Sequence, residues 1–334
     1  MDSEKTKGGR APLLAKTLTA GHVMTKANAD SSHRESGSRR HWIAVGEAFF
    51  VTFLWSSSFV IIKIGLLEIP ALIFAGFRYM IASLILLAMV LAIPSQRASL
   101  KRLSMKWWKL LAAYGFFYYT LTQGTHFVGL ALLPATTVSF ILNFTIILVV
   151  ILGTLFLHEP PNKAQLVLIA VAMVGAYLFF IPIDLAIAVL LGILVMMIGL
   201  VANALSAILG RAVNRSHELP ALVVTAVSMV IGAVVLLVTA LLTTGLPVLS
   251  PAALFMILWL AVVNGALAFT LWNHAMQYLR VVETTIINST MMVQIAILGL
   301  VFLGETLTVW DWIGVALVVT AAVGIQLVRR SREP

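Results

Sequence analysis

Long apolar runs are the feature of this sequence that most restricts its fold. From Ile43 onward the chain alternates between runs of about 18–25 apolar residues and short connections, and a helix needs about 20 residues to cross the ~30 Å of membrane hydrocarbon. Apolar residues make up 61% of the chain and charged residues 10%, which excludes an ordinary soluble domain. The sequence predicts an all-α integral membrane protein. Ten spans are expected, at residues 43–67, 71–93, 107–131, 134–156, 164–181, 185–210, 221–243, 252–277, 281–303 and 309–328.

The first 41 residues have a different composition. They are rich in Ser, Thr, Lys and Arg and contain no sustained apolar stretch, so we expect a disordered cytoplasmic tail that has no role in the core. The segment lacks the apolar region of a signal peptide, and the first span is therefore expected to direct insertion. An organellar transit peptide is the alternative, and the acidic residues Asp2, Glu4, Asp30 and Glu35 argue against it.

The positive charges predict the orientation of the spans. When the N-terminus is placed inside, all 22 Lys and Arg residues except Lys63 and Arg78 fall in inner segments. Cytoplasmic connections carry the excess of Lys and Arg in membrane proteins. We therefore predict a multi-pass protein of the plasma or inner membrane with both termini in the cytoplasm. Because topology accounts for the net charge of +9, we expect no nucleic-acid partner.

Two blocks of sequence indicate an internal duplication. Gly153–Glu159 reads GTLFLHE, and 146 residues later Gly299–Glu305 reads GLVFLGE. Earlier in each half, the triplet Pro-Ala-Leu begins at Pro70 and again at Pro220. Chance similarity between apolar segments explains the repeated leucines, but it does not explain the aligned Gly, Phe-Leu-x-Glu and Pro-Ala-Leu residues.

The duplication predicts a transport mechanism. Each repeat, at 42–181 and 185–328, would contain five spans, and an odd number forces the second repeat to enter the membrane in the opposite sense. Inverted repeats of this kind are typical of secondary transporters, which bind substrate near the midplane and alternate access by rocking one half against the other.

Short polar phrases within the spans also carry a family resemblance. The phrases are Leu54–Phe59 (LWSSSF) with Lys63, Phe77-Arg78, Leu157–Pro160 (LHEP), Leu271–Ala275 (LWNHA) and Leu303–Thr306 (LGET). They resemble the EamA family of the drug/metabolite transporter superfamily. The resemblance implies a ten-helix, basket-like transporter that exports small metabolites such as amino acids. One departure is Pro160-Pro161-Asn162, which stands where Glu305 is followed by Thr306.

Polar residues inside the spans are the candidates for a substrate site, because intramembrane charge is costly and usually faces a partner or a cavity. Arg78 lies about 12 Å along its span from Pro70, and its alternative role is a structural hydrogen bond to helix ends. Lys63 is nearer the outer surface, where it could instead snorkel. The cavity candidates are Arg78, Lys63, Trp55, Ser57, Asn143, Asn264 and Asn288. The proton-coupling candidates are Glu47 and Glu283, for which interfacial anchoring is the alternative.

Other function classes receive little support. The chain has no cysteine, which excludes thiolate catalysis and cysteine-based metal sites. It contains no Walker A, GxSxG or HExxH motif, so we expect neither an enzyme nor a cofactor. The lone histidines His126 and His274 are interpreted as helix-contact hydrogen bonders. The expected partners are a small molecule, the bilayer and, as an option, a second copy. A nucleotide sugar or lipid-linked substrate, and a channel or sensor, remain alternatives.

Overall fold

The computed structural model describes residues 40–330 with the exception of 146, 150, 153–161, 181–185, 216–217, 276–277 and 280. Residues 1–39 of the predicted tail and Glu159 therefore lie outside the described residues, whereas Arg40 and His41, which the prediction placed in the tail, begin a helix. Within the described residues the chain is helical and contains no β-strand, as the apolar runs predict. In chain order the helices are α1 Arg40–Gly65, α2 Ala71–Ala92, α3 Pro94–Lys101, α4 Met105–Gly115, α5 Gln123–Leu132, α6 Ala135–Asn143, α7 Lys163–Phe179, α8 Ile187–Arg215, α9 Ala221–Thr244, α10 Pro251–Ala261, α11 Ala268–Ala275, α12 Val281–Phe302 and α13 Val309–Arg330.

Four described helices are long and apolar enough to cross a membrane. They are Arg40–Gly65, Ala71–Ala92, Ile187–Gly210 and Ala221–Thr244. The other apolar segments are shorter, at Ala135–Val149, Leu166–Phe179, Pro251–Leu267, Thr290–Phe302 and Val309–Ala321. The all-helical membrane class is thus observed, whereas the count of ten spans stays a prediction.

Two π-helical segments interrupt the helices at matching positions of the two halves. The segment π1, Phe116–Thr122, joins α4 to α5, and the segment π2, Val262–Leu267, joins α10 to α11. Their starts are separated by 146 residues, which is the offset of the duplicated Glu159 and Glu305 blocks. π-helical turns are rare and frequently mark functional sites. The structure therefore shows the duplication in its backbone as well as in its sequence.

Proline and glycine set several of the helix ends. Pro70, Pro134 and Pro220 immediately precede α2, α6 and α9, where a fixed φ and a missing N–H are tolerated. Gly245 ends α9 with a φ of 76°, a left-handed conformation that costs a residue without a Cβ very little. The helices are thus ended by residues that are readable in the sequence.

Helices α2 and α9, which occupy equivalent positions in the two repeats, pack against each other at the centre of the bundle. They run antiparallel, because Gly76 near the start of α2 lies against Leu237 in the last third of α9. Close approach continues where α4 crosses α9, since a Cβ on Gly115 or Gly232 would collide with the other helix's backbone. Small residues permit such backbone contact in membrane bundles. Equivalent helices of the two halves therefore run in opposite directions.

Candidate functional site

One face of α1 organises the candidate site. Trp55, Phe59 and Lys63 are spaced four residues apart, and residues at this spacing lie above one another on a helix. Trp55 contacts π2, Phe59 contacts His126 within α5, and Lys63 contacts the carbonyl groups at the end of α5. The face therefore joins three levels of the bundle, which we describe in turn.

At the first level, Trp55 meets the second π segment. Its indole Nε1 donates to the carbonyl oxygen of Asn264 at 3.2 Å, and the Asn264 side-chain amide donates to the carbonyl oxygen of Leu54. The Trp55 ring also lies 5.1 Å from the Trp272 ring and 5.5 Å from the Phe269 ring, measured between centroids. Asn264 is fully buried, and its Oδ1 has no hydrogen-bond partner among the described residues. Trp55 and Asn264 thus connect the two repeats and leave one buried acceptor open.

A polar cluster on the neighbouring face of α1 connects the repeats a second time. Ser56 donates to Gln294 Oε1 of α12 at 2.9 Å. The Gln294 amide nitrogen in turn lies 3.2 Å from Thr52 Oγ1 and 3.1 Å from Thr290 Oγ1. These bonds satisfy amide and hydroxyl groups that could not face lipid without cost. Gln294 therefore forms a contact between α12 and α1.

Two of the predicted cavity residues bond to their own helices. Ser57 Oγ donates to the Leu54 carbonyl at 2.7 Å, and Asn143 Nδ2 donates to the Ser139 carbonyl at 2.9 Å. Such local bonds satisfy a polar side chain without a second helix. The structure therefore does not join Ser57 and Asn143 to Trp55 or Arg78 by a hydrogen bond, and their substrate roles stay predictions.

The remaining candidates lie on α1 and α12. Asn288 is exposed in α12, and Glu47 is partly buried near the start of α1. The side chain of Glu283 lies outside the described part of the structure. Neither proton-coupling role is tested by these positions, so both stay predictions.

At the second level, Arg78 is a buried cation that has no anionic partner among the described residues. The residue is 6% exposed, and its Nε has no hydrogen-bond partner among the described residues. Its guanidinium carbon lies 5.2 Å from the Tyr79 ring centroid and 5.8 Å from that of Phe127, which are cation–π distances. Aromatic faces offset part of the charge, but within the described residues they leave Nε without a hydrogen bond. The described structure therefore gives Arg78 ring contacts only, and its role in binding substrate stays a prediction.

His126 accompanies Arg78 on the adjacent helix α5. Its ring centroid lies 4.6 Å from that of Phe59, and its buried Nε2 has no hydrogen-bond partner in the described residues. The His126 ring and the Arg78 guanidinium lie beside the same ring, since the Phe127 centroid is 6.1 Å from that of His126 and 5.8 Å from the guanidinium carbon. One turn earlier on α5, Gln123 accepts a hydrogen bond from the Tyr79 hydroxyl at 2.6 Å. The sequence predicted that His126 hydrogen-bonds to a neighbouring helix, but Nε2 makes no such bond to a described residue. Nothing in the sequence distinguished His126 from His274 as a candidate for the site.

At the third level, Lys63 is occupied by the end of a helix. Its Nζ donates to the carbonyl oxygens of Leu130 at 2.6 Å and Leu133 at 2.7 Å. These carbonyls end α5 and have no partner within the helix, and a cation there also suits the helix dipole. The two intramembrane cations therefore differ. Lys63 hydrogen-bonds to backbone carbonyl groups, whereas Arg78 has no hydrogen bond among the described residues.

Glu305 holds the start of α6, the helix that begins two residues after Leu133. Its carboxylate accepts hydrogen bonds from the backbone N–H of Ala135 and of Thr136, the latter at 3.1 Å, and from the Thr136 hydroxyl. Free N–H groups and the positive end of the dipole favour a carboxylate at a helix start. Glu305 belongs to the second repeat and α6 to the first, so this contact joins the halves. The sequence marked Glu305 as a repeat signature, but did not reveal its partner.

A second carboxylate joins the halves at the same end of the bundle, which we call the Glu305 end. Glu68 accepts from the backbone N–H of Ser250 at 3.0 Å and from its hydroxyl at 2.9 Å. The Ser250 hydroxyl also caps α10 by accepting from Ala253 N–H. Both carboxylates therefore cross from one repeat to a helix start of the other.

The opposite end of the bundle, which we call the Trp107 end, carries the equivalent residues. Glu218 follows Glu68 by 150 residues, and Ser104 precedes Ser250 by 146, which are the two offsets of the duplication. Here Trp107 Nε1 donates to Glu218 Oε2 at 3.1 Å. The cross-repeat carboxylate is thus present at both ends, with different donors.

The described residues contain no cluster of His, Asp or Glu that could hold a metal ion. A cavity of about 250 Å³ between α1 and α10 is lined by Ile61, Ile64, Phe255, Met256 and Trp259. Its lining contains none of the candidate residues, and its side chains are apolar, as suits a lipid-facing surface. We therefore place the candidate site around Arg78 and not in this cavity.

Comparison with known proteins agrees with the two-repeat architecture. The model of the EamA-like transporter family matches residues 42–181 and again residues 190–327. The chain therefore belongs to the EamA-like transporter family, as the resemblance of its sequence phrases predicted.

The chain was also compared with curated proteins and with solved structures. No curated protein matches the chain. A solved crystal structure with 19% sequence identity superposes with a TM-score of 0.61, covering 86% of this chain and 98% of the other. At this identity the match supports the fold alone.

The Glu305 contact gives the first prediction. In a double-mutant cycle, Glu305→Gln and Thr136→Val should show a coupling of about 0.5–3 kcal/mol in unfolding free energy, because the two side chains bond directly. The measurement is thermal or denaturant unfolding of the purified protein in detergent.

Asp311 supplies the matched control for this cycle. It lies at the same end of the bundle but caps its own helix, by accepting from Thr308 N–H at 2.6 Å. A cycle of Asp311→Asn with Thr136→Val should therefore be additive to within about 0.5 kcal/mol. Equal coupling in both cycles would contradict the Glu305–Thr136 contact.

Proposed function

We propose that the protein is a secondary transporter that exports a small metabolite, such as an amino acid or a related zwitterion or organic acid. The observation that carries the proposal is Arg78, a 94% buried arginine without an anionic partner among the described residues. A charge in the membrane interior costs several kcal/mol unless it is paired or faces a water-filled path. A negatively charged substrate group would supply the missing partner.

The finer topology is part of the proposal. We infer ten spans in two inverted repeats, with both termini in the cytoplasm of a plasma or inner membrane. The antiparallel packing of α2 against α9 supports the inversion, because these helices follow the repeated prolines Pro70 and Pro220. The distribution of Lys and Arg supports the orientation, which puts the Glu305 end outside.

Alternating access would then follow from the cross-repeat contacts. Glu68 and Glu305 hold the two halves together at the Glu305 end, and we propose that they keep the outer side closed. Their release would let one half rock against the other, while Glu218 strengthens its contact at the Trp107 end. A packed interface changes between discrete arrangements and does not deform continuously. The matched carboxylates at the two ends support this exchange.

The alternatives fit the site less well. A nucleotide sugar carries a diphosphate and would need several cations, whereas Arg78 is the buried cation near the aromatic residues in the described part of the chain and Lys63 bonds to helix carbonyls. A channel would not require duplicated halves that exchange contacts. The family does not suggest an enzyme, and Arg78 has no neighbouring nucleophile–base pair in the described structure.

Substitution of Arg78 tests the proposed site. Arg78→Ala should reduce flux of the exported metabolite into or out of liposomes at least tenfold while the protein still inserts and melts normally. Arg78→Lys should retain part of the flux, because the charge remains but the planar guanidinium fork is lost. The exported metabolite is first identified by comparing the medium of cells with and without the protein.

Arg97 provides the matched control because it is exposed at the start of α3. Arg97→Ala should leave flux and melting temperature unchanged. If Arg78→Ala instead lowers the amount of folded protein and leaves flux per folded molecule at the wild-type value, Arg78 has a structural role and the proposed site is wrong.

Labelling of introduced cysteines tests the topology, and the absence of native cysteine makes the background low. Ser38→Cys, Ala98→Cys and Ser331→Cys should react with an impermeant maleimide only from the cytoplasmic side. Leu246→Cys should react only from outside. External labelling at residue 331 would indicate an odd number of spans and would remove the basis for inverted repeats.

A further inference from the structure

Two buried nitrogen atoms that have no hydrogen-bond partner among the described residues belong to side chains that lie beside the same ring, that of Phe127. They are Arg78 Nε on α2 and His126 Nε2 on α5, and these helices pack against each other. The other buried side-chain atoms without a partner in the described residues belong to Gln96 of α3 and Asn264 of π2. The region around Arg78 is therefore the place where the fold leaves two donor or acceptor groups open together.

A structural role does not account for His126. A histidine that ties helices together would place both its ring and its Nε2 against a neighbour. Among the described residues the ring contacts Phe59 and Phe127, whereas Nε2 has no hydrogen-bond partner. A buried polar group that lacks a hydrogen-bond partner destabilises the fold. A leucine or phenylalanine at this position would pack against Phe59 without that cost. The nitrogen is thus better explained by a ligand that binds it.

The surroundings define the chemistry of such a ligand. The rings of Phe59, Tyr79 and Phe127 stand next to Arg78 and His126, and they are all buried. Arg78 favours a carboxylate, for which a guanidinium provides paired donors. The rings favour an apolar body, and Nε2 of His126 favours a second hydrogen-bonding group.

We infer that His126 is the specificity-determining residue of the substrate site: Arg78 binds the substrate's carboxylate, and His126 Nε2 hydrogen-bonds to an amino or hydroxyl group next to it. This inference rests on the proposed function and narrows its substrate class. The substrates are compact carboxylates with a neighbouring amino or hydroxyl group and an apolar side chain. A carboxylate without the second group binds through Arg78 alone.

The position of His126 also connects the site to the Glu305 end. His126 lies six residues before Leu132, the last residue of α5, which is about 9 Å along the helix. The end of α5 is bonded by Lys63, and α6, which begins three residues after Leu132, is capped by Glu305. A substrate that contacts His126 therefore contacts the helix that leads directly into the cross-repeat contact.

Three related probes separate the two contacts. Leucine has both groups, 4-methylpentanoate lacks the amino group, and leucinamide lacks the carboxylate. Calorimetric titration of the full-length protein in detergent should show leucine binding roughly tenfold more tightly than 4-methylpentanoate, the value of about one hydrogen bond. Leucinamide keeps the amino group but lacks the carboxylate that Arg78 binds, and should show no measurable binding. Wild-type protein that binds neither leucine nor 4-methylpentanoate would overturn the inference.

Variants assign the discrimination to His126. His126→Phe keeps a ring against Phe59 and should bind leucine and 4-methylpentanoate equally, with the affinity for 4-methylpentanoate unchanged. His126→Gln restores a hydrogen-bonding group and should recover part of the tenfold preference. The control variant His41→Phe, at the start of α1, should keep the full tenfold preference for leucine.

The outcomes distinguish this inference from the proposed function. Equal weakening of both carboxylates in His126→Phe, or an unchanged preference, would overturn the role of His126 and leave transport through Arg78 standing. Normal binding of both carboxylates by Arg78→Ala would overturn the proposed site itself. Loss of the preference in His126→Phe, together with loss of both carboxylates in Arg78→Ala, is the result that we expect.

Discussion

The ends of helices within the bundle are the constraint on which this structure depends. A bilayer offers no water to a free N–H or C=O group, so each helix end must find a partner in the protein. At the turn between α5 and α6, the end of one helix is bonded by Lys63 and the start of the next by Glu305. A cation at the end and an anion at the start suit the helix dipoles. Because Lys63 and Glu305 come from different repeats, satisfying one turn also fastens the two halves together.

The two intramembrane cations show how surroundings decide the role of a charge. Lys63 reaches carbonyl oxygens that would otherwise lack partners. Arg78 lies among aromatic rings, and its Nε has no hydrogen-bond partner in the described part of the chain. A satisfied cation stabilises the fold, whereas an unsatisfied one is costly unless something binds it. This difference is why we place the proposed substrate contact at Arg78 and the conformational contact at the Glu305 end.

Sequence reasoning predicted those features that repeat along the chain. The apolar runs gave the helical membrane class, and the repeated Gly-x-x-Phe-Leu-x-Glu blocks gave the two-repeat architecture that the EamA-like family model matches. The π segments were not predicted, because hydrophobic periodicity that is analysed with the α-helical repeat does not reveal a π turn. The sequence also placed Trp55 and Asn264 on a list of candidates without revealing that they bond to each other.

The missed contacts are those between residues far apart in the chain. Glu305 and Thr136 are separated by 169 residues, and Glu68 and Ser250 by 182. A single sequence gives no information on which carboxylate meets which helix start. The open Nε2 of His126 was missed for the same reason, since an unsatisfied atom is defined by neighbours on other helices. Sequence thus identified the polar residues, and the fold determined which were already bonded.

The central claim is that the halves exchange contact between the two ends of the bundle. Spin-label distances test it most directly, with one pair at exposed Leu67 and Leu246 of the Glu305 end and another at exposed Met105 and Ala221 of the Trp107 end. Glu305→Gln weakens one state and should shift the populations. The account predicts a longer-distance population for the 67–246 pair together with a shorter one for the 105–221 pair. Unchanged distributions, or lengthening at both ends, would contradict it.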